Sequence, residues 1–345
     1  MAVQGDCHLD GTDKDLHMVK SEVLRLERHD WTVAIFAARE TAGTLASCLQ
    51  AALKSCGSRR TVIDVLVNGN RALADQFSEY VDEFRRRRMD NQTTDNAVVR
   101  VWFIPFGDKA HAWNVYLHTI WPGGDVGYFI DGYVQVRPDA FLLLDEGLTT
   151  TTGALGATGI PTSGRSARNL ASQMLTEGGM HGNLHAIRGS AISNLKQTGF
   201  RLPLGLYRTD SLIGAVLMFR LDPAKNEWDP KRVFVHPQVT WHVASASLWT
   251  LKDLSAQYKR KLRQAQGALE NRAVREHLAI GKRDPVLLPR TTNELVNRWL
   301  AAHPEQATQA FVSQPLTFYA ARKLRQHRDW SIADLPPVLA YEFRP

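Results

Sequence analysis

From Trp31 onward the apolar positions of this chain switch regularly between two periods. Residues 33–37 (VAIFA) form a short apolar run of the kind that makes a buried strand. Residues 41–54 then place Leu45, Cys48, Leu49, Ala52 and Leu53 on one face at helical spacing. A second apolar run, 62–67 (VIDVLV), ends at Asn68-Gly69-Asn70, a turn signal. The next amphipathic stretch has its stripe at Leu73, Phe77, Val81 and Phe84. Residues 98–104 (VVRVWFI), a helix over about 109–119 and the run 126–130 (VGYFI) continue the alternation. Strands alternating with helices of about 10 to 15 residues predict βαβ units in a mostly parallel sheet flanked by helices, an α/β fold of Rossmann type. Ligands of such sheets sit beyond the carboxyl ends of the strands, so the loops to inspect are 38–40, 68–70, 105–109 and 131–133.

The texture changes after Leu148. Residues 149–169 are rich in Thr, Gly and Ser and predict a mobile loop. Regularity returns with a strand near 184–187, helices near 190–198 and 211–220, and two strands, 232–236 and 239–244, expected to pair. A long basic helix is predicted over about 250–277. Residues 285–345, interrupted by prolines, predict a small helical C-terminal appendage. Residues 1–28 are polar and aperiodic, a loose lead-in. The pattern thus divides one domain into halves at 29–148 and 149–284.

Composition adds limits. The 345 residues carry 42 Lys and Arg against 35 Asp and Glu, a formal charge of +7, which points to an anionic ligand or surface. The three cysteines have no metal-like spacing, and no apolar run reaches membrane-spanning length. No apolar leader opens the chain, so a cytoplasmic location is expected, with room for peripheral contact at the inner face of a membrane. No recognition-helix, RRM-like or zinc-finger signature supports specific nucleic-acid binding. The basic run Arg85 to Arg88 closes a helix beside Asp82, Glu83 and Asp90, where cations complement the helix dipole.

Chemistry concentrates at few positions. Asp131 ends the fourth strand in a Gly-containing turn; a carboxylate there can hold a divalent cation, or simply cap the turn. Lys109 opens a helix in GDKAHAWN, and Asn114 follows a turn later. Asp210 opens another helix in GLYRTDSLIGAVL, where an acid is commonly a cap.

Four segments in order resemble the family-2 nucleotide-sugar glycosyltransferases of the GT-A fold. VAIFAARETAGTLASCLQAALKS resembles that family's opening strand, loop and helix. VLVNGN resembles its second strand and turn, FGDKAHAWN its GKAxAlN segment, and FIDGYVQVRPDAF the strand carrying its DxD-type motif. The resemblance implies a nucleotide-sugar donor met by Ala38, Arg39, Glu40, Asn68, Lys109, Asn114, Asp131 and Gly132. It implies a divalent metal, Mn or Mg, at Asp131; His242, on a strand near that site, is a further candidate ligand or else a hydrogen-bonded structural histidine. Asp210 matches the acid of the family's ED motif and would be the general base of an inverting transfer. Gln257 and Arg260 match two positions of its QxxRW motif, from which Arg260 could reach a diphosphate; a solvated basic face is the other reading of this helix.

The departures are specific. Tyr133 stands where the metal motif has a second aspartate, Thr209 where the ED motif has glutamate, Lys261 where QxxRW has tryptophan, and His185 where the glycine-rich segment leads to an aromatic. A degenerate member that binds a nucleotide or glycan within a complex is the alternative. The acceptor is unspecified, the surplus charge over 257–283 favouring a lipid-linked or otherwise anionic one.

Overall fold

Seven consecutive buried residues, WTVAIFA, make β1 (Trp31–Ala37) the middle of the sheet, because only a strand covered on both faces tolerates a continuous apolar run. The computed structural model describes residues 29–90, 96–162, 167–243, 251–326 and 328–344. The lead-in 1–28 and the side chain of Gln257 lie outside the described residues. Helix α1 (Ala42–Cys56) starts at Thr41, whose hydroxyl accepts the Thr44 N–H, and buries the predicted Leu45, Cys48, Leu49 and Ala52. Strand β2 (Thr61–Asn68), α2 (Arg71–Asp90), β3 (Ala97–Ile104), α3 (Lys109–Val115) and β4 (Val126–Asp131) follow as predicted, α3 running on as a π-helical turn over 116–120.

The chain continues through β5 (Val134–Val136), α4 (Ala140–Thr150), β6 (Gly156–Thr158), α5 (Ala167–Glu177), β7 (Leu184–Arg188) and α6 (Gly189–Gln197). Then come α7 (Thr209–Met218), β8 (Val233–Val235), β9 (Trp241–Val243), α8 (Leu251–Arg275), α9 (Thr292–Ala302), α10 (Pro304–Ser313), α11 (Pro315–Leu324) and β10 (Val338–Phe343). Among the described residues the main sheet has the order β10-β3-β2-β1-β4-β7-β6-β8. Strands β3, β2, β1 and β4 are parallel neighbours, and β6 and β8 run with them; β10 and β7 run the other way. The sheet is mostly parallel, with helices on its faces.

Three expectations change. Segments 232–236 and 239–244 do not pair with each other. Strand β8 lies parallel to β6, while β9 forms a separate two-stranded sheet with β5. Both flank the 156–160 stretch, where Ile160 N–H donates to the Val239 carbonyl and His236 N–H to that of Thr158. The stretch 149–169, read as a loop, holds the end of α4, strand β6 and the start of α5; residues 163–166 lie outside the described residues. Its small residues serve close packing, since a Cβ at Gly156 would come 2.9 Å from both Leu217 and Met180. The third change is at the C-terminus. Helices α9–α11 do form a helical layer on α8, burying Leu295, Val296 and Trp299 with Leu269 and Ala273, but β10 then returns to the main sheet beside β3.

Arg86 and Arg87 pair with Asp82 and Glu83 one turn back, the helix-terminal role expected of that run. Among the described residues no helix is long and apolar enough to cross a membrane.

Candidate active site

Strand β4 is buried until its last residue, and Asp131 emerges half-buried at its carboxyl end. Parallel pairing sets it beside Phe36 of β1, so the loops after β1 and β4 share one rim. Lys109 reaches the same point because α3 begins there: Asp108 caps the helix by accepting the His111 N–H at 3.2 Å. The Lys109 ammonium forms an ion pair with Asp131 Oδ1. Tyr133 Oη donates to Asp131 Oδ2 at 3.0 Å. Asn183 completes the shell when its amide nitrogen faces Asp131 Oδ2 at 3.3 Å and Tyr133 Oη at 3.0 Å; its oxygen then accepts the Trp241 indole N–H at 2.9 Å. Burial opposes the charge on Lys109, but Asp131, joined by Asp210 and Glu40, holds its pKa above the ordinary lysine value.

Asp210 lies in the first turn of α7, yet no side chain caps that helix, whose N-cap is Arg208. The cap role open to such an acid is thus not the one it takes. A Cβ built on Gly182 would sit 3.3 Å from Asp210 Cγ, so the peptide between His181 and Asn183 lies against this carboxylate. Asn183 of the same tripeptide touches Asp131. The His181 ring lies 4.7 Å from that of Trp241, tilted by 44°, and its Nδ1 accepts the Asn183 N–H at 3.1 Å. Burial lowers the His181 pKa against the pull of Asp210 and Asp131.

The approach to α7 is fixed by Glu270 of α8. Its buried carboxylate accepts the Tyr207 N–H at 3.0 Å and the Arg208 N–H at 3.2 Å, and Gln266 donates to it at 2.7 Å while also bonding the Gly205 carbonyl. Gly205 N–H donates to Asp108, which ties this approach to the cap that starts at Lys109.

The remaining predicted residues divide. Glu40 Oε2 accepts the N–H groups of Ala38 and Arg39 at 2.6 and 2.9 Å, which folds the 38–40 loop on itself at the site's rim. Asn68 is buried and donates to the Ala37 carbonyl, so it fastens the end of β2 to the end of β1 and does not face the cleft. Asn114 is also buried, with both amide atoms engaged by the backbone of Leu202, and does not reach the cleft either. Gly132 is needed for space, since a Cβ there would come 3.0 Å from the Phe36 carbonyl oxygen and 3.1 Å from Leu45. Arg260 is exposed on α8 beside exposed Lys259 and Lys261. His242 is exposed and pairs with Gln135 across the β5–β9 sheet; its neighbour Trp241 is the residue that reaches the site. Sequence reasoning missed Asn183, His181 and Glu270. The resemblance of 181–188 (HGNLHAIR) to a glycine-rich segment marked the stretch that carries the first two, but gave neither side chain a role.

A divalent ion fits here only in one way. Among the described residues no group of three His, Cys, Asp or Glu could hold it, so Asp131 would be its carboxylate. Magnesium-type ions bound to substrate phosphates commonly use one or two carboxylates and take the other ligands from phosphate and water. Lys109 would have to release Oδ1.

No family model matches this chain, and no curated protein matches its sequence. Solved structures do. The mannosyltransferase PcManGT from Pyrobaculum calidifontis, in complex with GDP-Man and Mn2+, is 15% identical with a TM-score of 0.54, over 92% of each chain. Glucosyl-3-phosphoglycerate synthase from Mycobacterium tuberculosis, in complex with Mn2+, UDP-glucose and phosphoglyceric acid, is 14% identical with a TM-score of 0.46, over 76% of this chain and 83% of that one. Residues 1–349 of S. aureus TarS, in complex with UDP-GlcNAc, are 13% identical with a TM-score of 0.47, over 89% and 84%. The likeness to PcManGT, taken with the strand order, shows that this chain has a GT-A-type fold.

Proposed function

We propose that this chain is an inverting glycosyltransferase that moves a sugar from a nucleoside-diphosphate donor to an acceptor hydroxyl. The observation that carries the reading is the pair of carboxylates on the two flanks of one tripeptide: Asp131, beside a lysine at the strand ends, and Asp210 against Gly182. An acceptor hydroxyl is a weak nucleophile, and Asp210 takes its proton as it attacks the anomeric carbon. The departing diphosphate gains charge, which the Lys109 ammonium offsets from a fixed position. One displacement with one base inverts the sugar centre. A divalent ion held by Asp131 and the donor phosphates would add positive charge against the same leaving group. The complex of the similar mannosyltransferase with GDP-Man and Mn2+ supports both donor class and ion.

In this reading residues 29–148 bind the donor and 149–284 form the acceptor side. The exposed Lys259, Arg260 and Lys261 favour an anionic or lipid-linked acceptor, with peripheral contact at a membrane surface. A second reading, a degenerate protein that binds a nucleotide or glycan without turnover, draws on one observation: both Asp131 oxygens are already engaged by Lys109, Tyr133 and Asn183.

The test is the thermal unfolding midpoint with GDP-mannose, UDP-glucose and the bare diphosphates, with and without manganese. A rise with a nucleotide-sugar, and sugar transfer to a supplied acceptor, are expected. Absence of any shift across the set would remove the transferase reading; binding without turnover over a broad acceptor panel would favour the second.

A further inference from the structure

His181-Gly182-Asn183 lies between the two carboxylates, and the transfer described above gives its first side chain no task. Asn183 is fixed on Asp131 and on the Trp241 indole. A Cβ on Gly182 would come 3.3 Å from Asp210 Cγ, tight enough that the carboxylate would have to shift by a few tenths of an ångström. The His181 ring therefore leans, at an interplanar angle of 44°, against a tryptophan whose own N–H is engaged.

The tautomer follows from the hydrogen bonds. Nδ1 accepts the Asn183 N–H, so the ring proton of a neutral His181 is on Nε2. That nitrogen has no hydrogen-bond partner among the described residues and keeps some access to solvent. His181 thus offers one oriented, uncharged donor, and its engaged Nδ1 cannot serve as a base.

We propose that His181 is a donor-sugar contact: its Nε2–H donates to a hydroxyl oxygen of the sugar held between Asp131 and Asp210. The inference rests on the transferase reading. A diphosphate already has the Lys109 cation, whereas a neutral N–H in a fixed direction suits a hydroxyl and distinguishes sugars by where their hydroxyls lie. Burial, which lowers the His181 pKa, favours the uncharged ring that this role needs.

The experiment compares dissociation constants of the wild-type chain and two variants, measured by calorimetry with manganese, for GDP-mannose against GDP and for UDP-glucose against UDP. His181→Phe keeps a ring on Trp241 and removes the N–H; His181→Ala serves if phenylalanine disturbs the fold, as judged by circular dichroism. The expected result is a loss of about fivefold to tenfold for the nucleotide-sugar that the wild type binds, with the matching bare diphosphate unchanged. His181→Gln, which can return an N–H to the same region, recovers part of the loss. An equal loss for sugar-bearing and bare nucleotides would assign the contact to phosphate and overturn the proposal, as would no loss in either. A wild type that binds none of the four overturns the transferase reading, and this inference with it.

Discussion

Lys109 and Asp131 form an ion pair that joins the start of α3 to the end of β4, and Asp131 is the more buried partner, with 16% of its side chain exposed against 30% for the lysine. Removing the cation leaves a half-buried carboxylate with only the Tyr133 and Asn183 donors. Lys109→Met is expected to lower stability by about 1–2 kcal/mol, read from the urea midpoint. Adding Asp131→Asn to it restores much of that loss, and the cycle yields a coupling energy. Additive losses would show that the pair contributes little. Both single variants are also expected to weaken binding of a nucleoside diphosphate.

Asp210 makes no cap, so its removal carries little structural cost. Asp210→Asn is expected to keep the unfolding midpoint and donor affinity close to wild type while sugar transfer falls by at least about a hundredfold. Undiminished transfer would sink the base assignment. Gly182→Ala acts on the same carboxylate by displacing it, and should lower transfer while leaving affinity for the bare diphosphate intact.

Glu270 acts at a distance from the reacting groups. Its carboxylate receives two backbone N–H groups and one amide, and Glu270→Ala leaves all three without that acceptor. A loss of about 2–4 kcal/mol is expected, with faster hydrogen exchange at the Tyr207 and Arg208 amides. Unchanged exchange at these two amides would show that other contacts hold the approach to α7.

His185 carries a pH prediction. It is buried, stacks at 5.2 Å on Phe129, and donates from Nδ1 to the His181 carbonyl, while its Nε2 has no partner among the described residues. Burial, with the Lys109 charge adding to it, lowers its pKa from 6.5 to about 3. The unfolded chain then binds more protons than the folded one between those values. Its stabilising effect is full above about 6.5 and is lost as pH falls toward 3. His185→Phe is expected to flatten the fall in stability over that window, measured as urea midpoints from pH 7 to pH 4. An unchanged slope would assign the acid sensitivity to other groups.

Much of the fold was legible because β1, β2 and β4 are covered on both faces, so their burial is written as unbroken apolar runs. Three-residue strands such as β8 and β9 carry no such run, and their partners are set by tertiary packing around 156–160, which periodicity cannot express. At the site, Lys109, Asp131 and Asp210 were legible because each opens or closes an element. Asn183 was not: its role depends on Asp131 and Tyr133 of one turn and Trp241 of a distant strand converging on it. Asn68 and Asn114 show the reverse, since a polar residue at a strand end or one turn into a helix reads the same whether it faces a ligand or fastens backbone.

The strand β10 has a consequence for how the molecule is made. Without it, β3 is the outer strand of the sheet, and a row of backbone groups from Val99 to Phe103 has no partner. Synthesis and folding from the N-terminal side therefore pass through a stage in which the half bearing Lys109 and Asp131 is built but its margin is open to pairing with another chain. The stage ends only when residues 338–343 arrive and Tyr341 bonds Asp82 of α2. Such distant closure slows folding, and places the aggregation hazard early, in an otherwise well-buried sheet.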